Sequence, residues 1–202
     1  MQFNRSQRVP LFRNYQKYRP FLRTDFVSHC AYCTGHETEV GGEDHFDIDH
    51  FKPKSKFPKL INVYTNLYYS CKGCNKNGAK GEHWPSSALQ KAGYRFFDPC
   101  GENAYVKHMR ETRAGSLKQR TRVGEFSIIH LRLNRKGLRH LRKSRANMRR
   151  LLQRELKRLL SELERVKAAG RIPPNAVVIR LQQIREHLKR KPVLLLLPEW
   201  FV

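Results

Sequence analysis

No apolar run in the sequence approaches the roughly 18 residues that a membrane-spanning helix needs. The longest, Val193 to Leu197, has five. This excludes a helical membrane anchor. The opening stretch, Met1 to Tyr15, also lacks the apolar segment of a secretory leader, so the expectation is a cytoplasmic protein. No internal repeat or low-complexity tract is visible. Acidic residues are scarce, 17 Asp+Glu against 41 Lys+Arg, which leaves a net charge of +24. An excess of that size points to a polyanionic partner rather than to solubility alone. Aromatic residues, in contrast, are plentiful. With 11 Phe, 8 Tyr and an apolar fraction of 39%, a packed core is expected and global disorder is excluded.

The charge is unevenly placed. Residues 1–105 hold 15 Lys+Arg and 10 Asp+Glu, whereas residues 106–202 hold 26 and 7. We therefore expect three parts: an N-terminal arm (1–29), a core carrying the chemistry (30–105) and a basic helical region (106–202). The arm is aromatic and basic and is expected to cover the core. "NVYTNLYYSC" is β-prone and reads as a strand running into Cys71, and a short helix is expected from Cys74 to Trp84-Pro85. Further along, Met148, Leu151, Leu152, Leu156, Leu159, Leu160, Leu163 and Val166 recur at helical spacing. Gly170 stops that helix, and Pro173-Pro174 can begin another, whose stripe is Val177, Val178, Leu181, Ile184 and Leu188.

Cysteine is used sparingly and in a pattern. Four of the five lie in two C-x-x-C pairs, Cys30/Cys33 and Cys71/Cys74, with 37 residues between the pairs. Without an export signal, this spacing favours metal thiolates over disulfides. Two such turns supply the four corners of a tetrahedral zinc site. Four thiolates leave no open position for water, so this metal is structural and any chemistry lies elsewhere. Cys100 is the odd one and reads as a reduced structural thiol.

Between and beside the two pairs stand Asp49-His50, Asn66 and Asn75. Hydrolysis of a phosphodiester needs an activated water, a base and positive charge on the phosphate. A neutral histidine suits the base near pH 7. A hard cation such as Mg2+ takes oxygen ligands from Asp and Asn. The pattern "C-x2-C … D-H-F-x-P … N-L-x3-C-x2-C-N-x4-K", over residues 30–80, resembles the HNH endonuclease family. That resemblance implies an α+β chain with a ββα-metal core around a structural four-cysteine zinc site, followed by a mainly α-helical basic region. It assigns His50 as general base, Asp49 as first metal ligand, Asn66 as the residue steadying the loop, and Asn75 as last metal ligand. Many family members have His at that last position, and Asn there points to Mg2+ or Mn2+. Products with 5′-phosphate and 3′-hydroxyl ends are implied too. A longer likeness through "FFDPC" and "LRLNRKGLRHLR" resembles the HNH nucleases that accompany ATPases or retrons in bacterial antiphage systems such as Septu.

The phosphate contacts expected are Lys52, Lys54, Lys56 and Lys80 beside the site, and Arg145, Arg149, Arg150 and Arg154 on the long helix. Nothing resembles a recognition helix for base edges, so binding is expected to be independent of sequence. The partner is DNA, with RNA as an alternative. An ATPase or ribonucleoprotein is a further candidate partner, and a homo-oligomer is another, with "VLLLLPEWFV" a candidate subunit contact. Two rival functions stand beside the nuclease: a non-catalytic zinc-knuckle binding protein, and a subunit active only with its partner.

Overall fold

The computed structural model describes residues 2–76 and 78–189. Asn77, a minor rival to Asn75, and the apolar segment Val193 to Val202 lie outside them. The elements in order are α1 (Arg19–Asp25), β1 (Phe46–His50), β2 (Leu67–Cys71), α2 (Lys72–Asn75), α3 (Ser87–Lys91), α4 (Ala104–Lys107), β3 (Met109–Glu111), β4 (Leu117–Gln119), α5 (Arg122–His130), α6 (Lys136–Ala168) and α7 (Asn175–Lys189). The class is α+β. Contacts divide the chain into two compact units after Leu141. Met109, Leu117, Val123, Phe126, Leu131 and Leu138 all bury their side chains in the core of the first unit.

In the first unit, β1 and β2 pair antiparallel, with Phe46 opposite Cys71, Asp49 opposite Tyr68 and His50 opposite Leu67. Two strands alone are marginal in water, so the hairpin depends on what covers it. Every residue of β2 is buried. Phe46 stacks on Tyr69 with ring centroids 4.7 Å apart, and Tyr68 meets the edge of Phe26 at 5.7 Å. The N-terminal arm closes the other side. Phe3 packs on Phe26, and the Arg5 guanidinium lies 4.6 Å from the Tyr68 ring centroid while donating to the Leu67 carbonyl at 2.7 Å. Tyr64 and Ser6 both donate to Asp25 at the end of α1.

The expected helix from Cys74 to Trp84 is corrected by the structure. Helix ends at Asn75 after one turn, and the chain doubles back. The amides of Lys80 and Gly81 donate to the Cys74 and Asn75 carbonyls at 3.1 and 2.9 Å. Gly78 and Gly81 sit at φ +84° and +44°, a region open to glycine without a Cβ clash. This return loop carries Lys80 inward, with consequences for the site.

Glu102 fastens the segment after Phe97. It takes both arms of Arg95 at 2.8 and 3.1 Å, His108 Nε2 at 2.8 Å and the Asp98 amide at 2.9 Å. Burial alone would raise this carboxyl, but the Arg95, His108 and Asp98 donors outweigh it and hold it down at about 2. A carboxylate depressed on folding stabilises the protein above its unfolded pKa, and that contribution is lost as pH falls. Wild type is therefore expected to lose melting temperature between pH 4.5 and pH 2, and Glu102→Gln to show a shallower slope over that window in thermal denaturation. Equal slopes would remove Glu102 from the account.

The second unit pairs α6 with α7. Leu152, Leu159, Leu181 and Ile184 are buried, with Met148, Leu156, Leu160, Leu163, Val177 and Leu188 packed against them. Leu151 and Val178, placed in the stripes by spacing, are instead 49% and 38% exposed. Gly170, at φ +67°, ends α6 as expected. Its amide donates to the Lys167 carbonyl, and the Arg171 amide to that of Val166, the 5→2 and 6→1 bonds of a Schellman cap.

Candidate active site

The hairpin and the return loop bring three of the expected residues to one place. Asp49 and His50 end β1 and Asn75 ends α2, and all three line a cavity of about 220 Å³ shared with Tyr15, Lys54 and Glu82. His50 is buried. Its Nε2 lies 3.0 Å from the Ile61 carbonyl, an acceptor only, so Nε2 carries the proton and Nδ1 keeps the lone pair. Tyr15 of the arm meets the imidazole edge-on at 4.7 Å. Burial lowers the His50 pKa from its ordinary value, which favours the neutral, proton-accepting form.

Asn66 lies just before β2, and its side chain works on the loop rather than in the cavity. Its Oδ1 accepts from the Lys52 amide at 2.9 Å, and its Nδ2 donates to the carbonyls of Lys52 and Leu60 at 3.1 and 3.3 Å. The backbone joins in: the Phe51 amide donates to the Asn66 carbonyl at 2.8 Å. The loop that closes over His50 is thereby pinned on both strands.

Lys80 is a correction. It was expected at a phosphate, but the structure buries it to 1% exposure. Its ammonium donates to Asp49 Oδ1 at 2.9 Å and to the His50 carbonyl at 2.7 Å. The other Asp49 oxygen accepts from the buried Tyr32 hydroxyl. Each carboxylate oxygen has a second lone pair, so Asp49 keeps acceptor capacity toward the cavity. Together with the Asn75 carbonyl it supplies the hard oxygen donors that Mg2+ or Mn2+ takes. Lys52, Lys54 and Lys56 are exposed, as phosphate contacts require. Asp47 is half-exposed and is not part of the cavity lining.

The long-helix arginines divide. Arg150 and Arg154 are exposed. Arg145 is buried, which corrects its expected role, since a side chain covered by protein does not reach phosphate. Arg149 is half-buried and donates to the Leu188 carbonyl at 3.4 Å. Both stand one heptad before residues of the apolar stripe, Arg145 before Leu152 and Arg149 before Leu156, so they share its face although their charge suggested a solvated one.

All four Sγ atoms of Cys30, Cys33, Cys71 and Cys74 lie within 4.8 Å of one another, and all four residues are buried. Cys33 and Cys71 are 3.7 Å apart. A tetrahedron with metal–sulfur bonds of about 2.3 Å has edges of about 3.8 Å, so the thiols are spaced for a metal and too far apart for a disulfide. Cys71 closes β2 and Cys74 lies in α2, so the same hairpin that presents Asp49 and His50 also presents half the cluster. Outside the cluster, burial pushes the Cys100 thiol up to about 11, which keeps it in the protonated, unreactive form.

Sequence reasoning did not find Tyr15, Tyr32, Ile61 or Glu82. Tyr32 lies inside the first C-x-x-C pair and carried no signal of its own. Ile61 acts through its backbone, which no residue type announces. Among the described residues, no helix is long and apolar enough to cross a membrane.

Residues 30–80 match the family model of the HNH endonuclease. A curated relative, Septu protein PtuB of Bacillus thuringiensis, is 40% identical over 55 residues, 27% of this chain and 20% of that protein. The chain thus spans about a fifth of that relative's length. The matched segment contains the hairpin, the return loop and the four cysteines, and residues 30–80 of this chain constitute an HNH endonuclease domain.

Proposed function

We propose that this protein is a metal-dependent endonuclease that hydrolyses phosphodiester bonds of DNA, with a structural zinc ion on the four cysteines. The observation that carries this reading is the shared cavity of Asp49, His50 and Asn75 within the HNH segment. Asp49 and Asn75 would hold a Mg2+ or Mn2+ ion, which would supply positive charge to the phosphate and the leaving oxygen. His50 does the proton work. With Nε2–H held on the Ile61 carbonyl, Nδ1 accepts the proton of the attacking water, and the carbonyl steadies the imidazolium that forms. Asn66 keeps the loop over the histidine in register. Lys52, Lys54 and Lys56, with Arg150 and Arg154, contribute sequence-independent attraction to the backbone, so binding weakens steeply with salt.

Supercoiled plasmid, incubated with the protein in Mg2+, Mn2+ or EDTA, tests this reading. Metal-dependent nicking is expected, and His50→Ala is expected to lower the rate by about 10² to 10⁴-fold, the worth of a positioned base, while zinc content and melting stay near wild type. Equal binding by wild type and variant with no cleavage of plasmid, single strands or RNA would overturn it. The likeness to a Septu protein supports a second form of the same reading, an antiphage effector that cuts only with a partner ATPase or ribonucleoprotein. Cleavage that appears only on adding that partner would favour it.

A further inference from the structure

We propose that Arg135 is an outer-sphere partner of the metal–thiolate cluster, holding the metal tighter and locking the α5–α6 turn to the knuckle. The inference rests on the zinc reading above, and Arg135 lies well outside the 30–80 segment that the family model matches. Its guanidinium reaches two of the four sulfurs, Nη1 to Cys74 Sγ at 3.4 Å and Nη2 to Cys71 Sγ at 3.5 Å. Nη1 also faces the carbonyls of Leu131 and Arg132, each at 3.4 Å. One side chain thus bridges the second C-x-x-C turn and the connection between α5 and α6.

Charge and space support the assignment. Four thiolates around a divalent ion leave a net charge of −2 in a buried cluster, and a guanidinium fork on two sulfurs offsets half of it. Donors to metal ligands fix their orientation and raise metal affinity. Gly73, between Lys72 and Cys74, leaves room for this approach. A Cβ there would lie 2.9 Å from Arg135 Nη2 and 3.2 Å from Cζ, so any side chain at 73 displaces the guanidinium. The turn itself holds Arg132 at φ +49°, and the Arg139 amide donates to the Arg135 carbonyl at 3.2 Å. The first turn of α6 is thereby set by where Arg135 is held.

The test compares wild type with Arg135→Met, Arg135→Lys and Gly73→Ala for zinc affinity, by competition with a chromogenic chelator, and for amide exchange over residues 131–139. Arg135→Met is expected to weaken zinc binding by about 10- to 100-fold and to speed exchange over 131–139 even with zinc bound. Arg135→Lys keeps the charge but not the fork and is expected to fall between. Gly73→Ala, with Arg135 intact, is expected to shift affinity the same way. In the cobalt-substituted protein, the thiolate-to-metal charge-transfer band is expected to move in Arg135→Met. Zinc affinity within twofold of wild type in Arg135→Met, with unchanged exchange, would overturn the proposal. A wild-type protein that binds no zinc or cobalt would instead overturn the zinc reading beneath it.

Discussion

Removing the metal from the cysteine cluster, by chelation or by Cys71→Ser, is expected to unfold most of the first unit rather than only its knuckle. Cys71 is the last residue of β2 and sits opposite Phe46, so its tether holds the end of the hairpin where the Phe46–Tyr69 stack closes the core. Cys30 and Cys33 anchor the chain between α1 and β1, and the Ala31 amide donates to the Tyr69 carbonyl at 2.8 Å. Few other covalent or ladder restraints exist there, since the sheet has only two strands. Structural zinc contributes about 10–16 kcal/mol of apparent binding energy in zinc-finger peptides at neutral pH. Losing even a third of that is several kcal/mol, against a total stability of roughly 5–15 kcal/mol for a folded domain. At about 2–4 °C per kcal/mol for chains of this size, the melting temperature is expected to fall by about 7–20 °C in excess EDTA. Metal analysis of the purified protein should return close to one zinc per chain, and Cys71→Ser should return much less. A melting curve unmoved by chelator, or a protein without zinc as purified, would sink the idea. Cys100→Ser is the control: it is separate from the cluster and is expected to leave zinc content unchanged.

What could be read in advance depended on how local the determining contacts were. The cysteine frame was legible because each C-x-x-C turn is written in a spacing of a few residues. Gly170 and the stripe from Met148 to Leu163, Leu151 excepted, were legible for the same reason, since a helix repeats its own period. The return loop was not. Its direction is set by the Lys80 and Gly81 amides closing onto Cys74 and Asn75, and a polar Gly- and Asn-containing stretch fits a helix end and a turn equally well. Arg145 shows the limit of reading by residue type. Its charge suggested a solvated face, yet it stands seven residues before Leu152, on the line of the apolar stripe, and is buried. Tyr32 to Asp49 spans 17 residues and Arg135 to Cys71 spans 64. Contacts that distant are decided by the fold, and the residue types alone do not name their partners.

Lys80→Met is expected to cost more stability than any other lysine substitution in the first unit, because it strands a buried carboxylate. A solvated phosphate-contacting lysine on the rim would cost within about 0.5 kcal/mol. Lys80 is different: its side chain has 0% exposure and that of Asp49 has 2%. Deleting one partner of a buried pair costs roughly 3–5 kcal/mol, since the remaining charge keeps its desolvation penalty without its counterion. That corresponds to a fall of about 6–20 °C in melting temperature. The Tyr32 hydroxyl still donates to Asp49 and softens the loss without removing it. The His50 carbonyl also loses its donor at 2.7 Å, so the backbone that aims the imidazole is loosened as well. Cleavage is accordingly expected to fall together with stability. The double variant Lys80→Met with Asp49→Asn separates the two causes. With neither charge present, stability is expected to recover part of the loss, a coupling of about 1–3 kcal/mol in a double-mutant cycle, while cleavage does not recover because the carboxylate proposed to hold the cation is gone. If Lys80→Met melts with wild type, or if the double variant merely sums the two single losses, Lys80 is not the counterion of Asp49. Its place would then be the phosphate-facing rim, where the sequence first put it.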